Sequence, residues 1–162
     1  MSADPRARAT VVVGLGDPSA GDDGVGALTL DALEGTLGGV VLLKVRSSAE
    51  LLTALDGASR VVLVDALVGG ELGEATAFAL SELAERAAGA STHGISLTSA
   101  LALLARVGQL PEQVVVVGVG VEGDFRIGAA PSAAAQLGAK RAAALVRQLV
   151  QNESWAARST SM

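Results

Sequence analysis

Residues 10–45 read TVVVGLGDPSAGDDGVGALTLDALEGTLGGVVLLKV, and this stretch decides the fold. Thr10 to Leu15 is a β-branched run that ends in a Gly/Asp/Pro loop, the pattern of a strand buried on both faces. Gly24 to Glu34 carries Val25, Leu28, Leu30 and Leu33 and predicts a helix, which Gly35, Gly38 and Gly39 stop. Val40 to Val45 is a second apolar run. Strand, helix and strand in that order, with strands apolar throughout, make the repeating unit of a parallel sheet.

The pattern continues downstream. Ala49 to Leu55 predicts a helix through Leu51, Leu52 and Leu55, with Ser48 as N-cap and Leu51 where a capping-box acid would stand. Arg60 to Val64 predicts a third strand that stops at Asp65. From there to the next apolar run, Glu74 to Leu80, the chain is short and holds Gly69, Gly70 and Gly73. A parallel crossover needs about a dozen residues or more, so this fourth strand is expected to run antiparallel, at a sheet edge. Ser81 to Ala88 predicts a short helix, His93 to Val107 a longer amphipathic one, and Gln113 to Val119 the fifth strand. Pro131 to Val150 predicts a closing helix with proline in its first turn. The expected fold is therefore α/β: a three-layer αβα sandwich around a twisted, mostly parallel five-stranded sheet with one antiparallel edge strand. Residues 1–9 are expected to be a flexible N-terminus, 10–150 one domain, and 151–162 a polar tail with Trp155 as its candidate tether.

Composition excludes several functions. The 162 residues suit a single core, and half of them are apolar, nearly all Val, Leu and Ala. Two Phe, one Trp and no Tyr leave no stacking platform for single-stranded nucleic acid. Lys plus Arg is 12 against 17 for Asp plus Glu, and a net charge of −5 repels phosphate backbones. No nucleic-acid partner is expected. With no cysteine there is no disulfide, thiolate nucleophile or thiolate metal site. Met1 to Ala9 lacks the apolar run of a secretory signal, and runs such as Val114 to Val117 are too short for a bilayer. The expectation is a soluble cytoplasmic protein, free of membrane and monomeric by default.

Three residues stand where a strand or loop meets a helix: Asp23, Asp65 and His93, the only histidine. In open α/β sheets, ligands bind beyond the carboxyl ends of the strands, near the switch in strand order. The Asp23 loop leaves strand one, and Asp65 follows strand three. Right-handed crossovers put strand two on one side of strand one and strand three on the other, so the two loops flank one crevice. His93 opens a helix capped by Ser91 or Thr92, where the positive end of the helix dipole favours the neutral, metal-binding imidazole. One imidazole and two carboxylates suit Ni, Zn, Mn or Fe and leave coordination positions open. Each residue also has a plainer reading. Asp22 and Asp23 can be first-turn helix acids, Asp65 can cap a turn, and His93 can be a structural hydrogen-bonder.

Other motifs fit less well. Gly14-Leu15-Gly16 lacks the third glycine of the dinucleotide fingerprint, and no Gly-Lys-Ser/Thr follows. Gly118, Gly120 and Gly123 have the right spacing, but Glu122 and Asp124 beside them oppose phosphate. Ser96 and Ser99 have no nucleophile elbow around them.

The segments Gly14 to Gly26, Val61 to Ala66 and Ser91 to Leu97 together resemble the endopeptidases that mature nickel–iron hydrogenases. That family carries Gly-x-Gly-Asn followed by Asp-Asp/Glu-Gly-x-Gly, then a strand ending in Asp-Ala, then a Ser/Thr-x-His helix start. The resemblance covers Thr10 to Leu149 and implies a phosphorylase/hydrolase-like fold. It implies Asp23, Asp65 and His93 as metal-binding and catalytic residues in an enzyme sometimes grouped with aspartic proteases. It also implies a partner, the hydrogenase large-subunit precursor, whose C-terminal extension is removed after nickel insertion. The nickel would arrive within the substrate, and Zn or Cd could take its place in vitro. The chain departs from the family at Asp17, where asparagine is usual, at Val119 to Gly123, which lacks Gln-Pro, and at Ala129-Ala130, where Leu-Ser is usual. Asp17 as a third acid is expected either to tighten metal binding or to raise a neighbour's pKa. Two other readings stand beside this one. The first is a non-catalytic, metal-dependent accessory protein of hydrogenase assembly. The second is a peptidyl-tRNA-hydrolase-like enzyme, since those open with Gly-Leu-Gly-Asn-Pro, close to Gly14 to Pro18.

Overall fold

Valines at alternate positions of each strand point to opposite faces of a sheet, and that alternation builds two separate cores here. The computed structural model describes residues 10–80, 82, 101 and 104–152. Its elements are β1 (Thr10–Leu15), a 3₁₀ turn (Gly21–Gly24), α1 (Val25–Leu33), β2 (Val40–Val45), α2 (Ser48–Leu55), β3 (Arg60–Val68), β4 (Ala75–Ala79), β5 (Gln113–Val121) and α3 (Ala133–Gln151). The sheet order is β2-β1-β3-β5-β4. The first three pairings are parallel, and β4 runs antiparallel to β5 at the edge. The short Val68-to-Ala75 connection dictates that reversal, as expected from its length.

On one face Val11, Val13, Val61, Leu63, Val114 and Val116 pack with Phe78, with Leu51 and Leu55 of α2, and with Leu101 and Leu104. On the other, Val12, Val62, Val64, Val115 and Val117 meet Val25, Leu30 and Leu33 of α1 and the alanine-rich side of α3, with Phe125 packed at the margin. Helices thus cover both faces of the sheet. The helix α3 lies close on β5, because Gly138 has no side chain: a Cβ there would stand 2.3 Å from Val119 Cγ1. No helix among the described residues is long and apolar enough to cross a membrane.

Several boundaries differ from expectation. The strand β3 does not stop at Asp65 but runs to Val68. Its partner β5, itself extended to Val121, supplies ladder positions from Asp65↔Gly118 to Val68↔Val121. On its other side, pairing with β1 ends at Gly14↔Val64. Asp65 is therefore inside a strand yet just beyond the reach of β1. The cap of α2 is Ser47, not Ser48: Ser47 is extended and its hydroxyl accepts from the Glu50 amide at 3.2 Å. Glu50 is the capping acid, and its Oε2 accepts from the Arg46 amide at 2.6 Å. Pro131 precedes α3, whose N-cap is Ser132. Of the expected helix 81–88 only residue 82, which is helical, is described; the start of the helix from His93, Trp155 and the N-terminal nine residues lie outside the described residues, and residues 101 and 104–106 are helical, within the expected span.

Candidate functional site

Asp23 is reached through a loop that folds back on itself. At its entry Gly16 has φ of 116°, and a Cβ there would stand 2.0 Å from the Asp23 carbonyl oxygen. Only glycine fits such a position. The Asp17 amide donates to Asp23 Oδ2 at 2.8 Å. Behind it the Gly16 amide donates to the Val45 carbonyl at 3.0 Å, which ties the loop to β2. Asp23 is buried, as is its neighbour Asp22.

Asp17 uses its own carboxylate elsewhere. Oδ1 accepts from the Ser19 amide at 2.9 Å and from Ser19 Oγ at 2.7 Å, while Oδ2 lies 3.2 Å from Arg46 Nη2. The Ser19 hydrogen bonds hold this carboxyl below the usual carboxylate range, with Arg46 helping. The third acid of the loop is thus a brace for its turn, with a cation beside it.

Asp65 is buried at the end of the parallel sheet, and its Oδ1 accepts from the Ala66 amide at 2.8 Å. Burial pushes its carboxyl up to about 7; the Ala66 hydrogen bond opposes this, and the charge of Asp23 adds to it. The 3₁₀ turn that carries Asp23 is in contact with β3. Two carboxyl groups from separate elements therefore share one sheet edge, close enough for one to feel the other's charge. Such a pair can offer oxygen ligands to a divalent cation, and its Asp65 member can hold a proton near neutral pH.

His93 lies outside the described residues, as do Ser96 and Ser99. Among the described residues, no group of three or more His, Asp or Glu side chains is placed to hold a metal. Alternation along β3 puts Asp65 on the face of Val61 and Leu63. That same face carries Leu101 and Leu104, downstream of His93 in the chain. Gly118 and Gly120 fall within β5, so the second glycine motif is strand rather than phosphate loop.

One feature of the site was missed in the sequence. The Asp22 carboxylate accepts from the Ser132 amide at 2.7 Å and from Ser132 Oγ at 3.0 Å. Around it the segment after β5 is stitched to the first loop: the Gly21 amide donates to Ala129 O, Asp22 to Asp124 O, and Gly128 to Ser19 O. These partners are more than 100 positions apart. The Asp-Asp doublet is the one local hint of them.

Comparison with known proteins adds a family. Residues 46–146 match the model of the HycI family, described as hydrogenase maturation protease. That span includes Asp65 and His93 and begins after Asp23. No curated protein matches. Among solved structures, the hydrogenase maturating endopeptidase HybD from E. coli is similar with a TM-score of 0.74 at 20% identity, over 88% of this chain and 93% of that one. The nickel–iron hydrogenase maturation protease HybD from Thermococcus kodakarensis gives 0.73 at 22%, over 88% and 99%. HycI from Thermococcus kodakarensis KOD1 gives 0.64 at 26%, over 89% and 93%.

Proposed function

Because the chain belongs to the hydrogenase maturation protease family, a family of peptide-bond hydrolases, we propose that it removes the C-terminal extension of a nickel–iron hydrogenase large-subunit precursor. The observation that carries this reading is the carboxyl pair: Asp23 and Asp65 share one sheet edge, and burial pushes the Asp65 carboxyl up to about 7. Peptide hydrolysis needs a group that takes a proton from the attacking water and returns one to the leaving amine. A carboxyl with a pKa near the working pH does both while it carries no metal; once docked on nickel, Asp65 acts as a ligand instead.

In this reading Asp23, Asp65 and His93 dock the nickel that the precursor already carries. The nickel belongs to the substrate; where bound, it fixes the neighbouring peptide and draws charge toward itself. The donor set fits such a guest, since two buried carboxylates are hard oxygen ligands for a divalent cation. Recognition through the metal would make cleavage conditional on nickel insertion, because an empty precursor offers these residues nothing to bind.

The test uses a nickel-loaded precursor from the same cell and its intact mass. Loss of one defined C-terminal peptide is expected with the native chain, and none with His93→Ala or Asp23→Ala. Cleavage at the native rate by His93→Ala would remove the ligand assignment. A stable nickel-dependent complex that is never cut would instead mark an accessory protein.

A further inference from the structure

Asp22 is as deeply buried as Asp23, at 2% and 3% exposed, yet its carboxylate bonds to a different part of the molecule. Both of its oxygens are used: Oδ1 accepts from the Ser132 amide and Oδ2 from the Ser132 hydroxyl. That hydroxyl also accepts from the Ala135 amide at 3.1 Å, so Ser132 already caps α3 by itself. The helix end does not need the acid. The loop does.

We propose that Asp22 is a positioning residue for the endopeptidase reaction: by tying the first loop to the start of α3, it holds Asp23 against the Asp65 edge of β3. The inference rests on the function proposed above. On one side the Asp-Asp doublet is fixed by the Asp22 amide on Asp124 O, at 3.1 Å, and by the carboxylate on Ser132. On the other it is fixed by the Asp17 amide on Asp23 Oδ2. Adjacent Cα atoms are held about 3.8 Å apart by a rigid peptide, so an anchored Asp22 limits how far Asp23 can move. The anchor is a 19-residue helix whose inner side is buried in the core, a firmer support than another loop would be. A negative group at the start of that helix is also favoured by its dipole, which explains an acid rather than an amide.

The experiment compares Asp22→Ala and Asp22→Asn with the native chain, on the nickel-loaded precursor and by amide hydrogen exchange. Asp22→Ala should lower kcat/KM about 10- to 100-fold, the usual cost of losing a partner that orients a metal ligand. Asp22→Asn keeps an oxygen for the Ser132 amide and should recover most of the rate. Exchange of the Asp17 amide, whose acceptor is Asp23, should quicken in Asp22→Ala alone, with the strand amides of β1 and β3 still protected. A lowered Tm with native kcat/KM and native Asp17 exchange would mean a structural role only and would overturn the proposal. If Asp22→Ala does not fold, Ser132→Ala takes its place. It removes one of the two bonds and must show the same two changes in weaker form, or the proposal falls. A native chain that never cleaves the precursor defeats the protease reading, and Asp17 exchange then still decides whether Asp22 positions Asp23.

Discussion

Burial lifts the Asp65 carboxyl to about 7 from an ordinary 3.8, and this has a measurable sign. The unfolded chain releases the proton near 3.8, whereas the folded chain keeps it until about 7. Between those values the folded state binds more protons, so stability falls as pH rises and levels off above 7. The full effect is on the order of 4 kcal/mol, at 1.36 kcal/mol per unit. Asp65→Asn cannot ionise and still offers an oxygen to the Ala66 amide. It should match the native chain near pH 4, exceed it in stability at pH 8, and cleave nothing. Urea unfolding at several pH values checks this, and a variant with the native pH slope would refute it. Gly16→Ala is expected to act on the same site through the backbone. A strained φ costs about 1–3 kcal/mol, and the added Cβ would also collide with the Asp23 carbonyl. Thermal unfolding should show the loss, together with reduced cleavage. At this scale the position of Asp65 stood out in the sequence, because an acid directly after an apolar run is conspicuous, and Asp23 stood out as half of an Asp-Asp doublet between glycines. The Asp22 partnership did not, since nothing local to residue 22 announces Ser132.

Among the elements, α3 makes the sharpest prediction. Replacing an interior helix glycine by alanine ordinarily stabilises by about 1 kcal/mol. At Gly138 the sign should reverse, because the new methyl would stand 2.3 Å from Val119 Cγ1, on a short and stiff side chain. Adding Val119→Ala to Gly138→Ala should restore part of the loss; additive losses in a double-mutant cycle would show that the contact is not the cause. Element boundaries also show where sequence patterns run out. The reversal of β4 was legible from the length of its connection alone. The end of β3 was not, because a strand continues as long as a neighbour bonds to it, and β5 is distant in sequence. The α2 cap was misread by one residue: Ser47 and Ser48 are adjacent, and only the extended backbone of Ser47 distinguishes them. That shift turned Glu50 from an overlooked residue into the capping acid.

Across the whole molecule, the layered architecture and the order β2-β1-β3 followed from apolar runs and the handedness of crossovers, while the insertion of β5 between β3 and β4 did not, since nothing in either run names its neighbour. Charge gives a prediction at this scale. A chain with net charge −5 should not be retained on immobilised tRNA even at low salt, where phosphate contacts are strongest. Retention there would revive a peptidyl-tRNA substrate. The aliphatic cores carry a practical consequence as well. The chain has two phenylalanines, and they fall on opposite sides of the sheet, Phe78 in one core and Phe125 against the other. A protein grown on fluorophenylalanine would therefore give two fluorine resonances, one reporter for each layer. Whether the two sides of the sheet melt together or in turn could be read from a single titration.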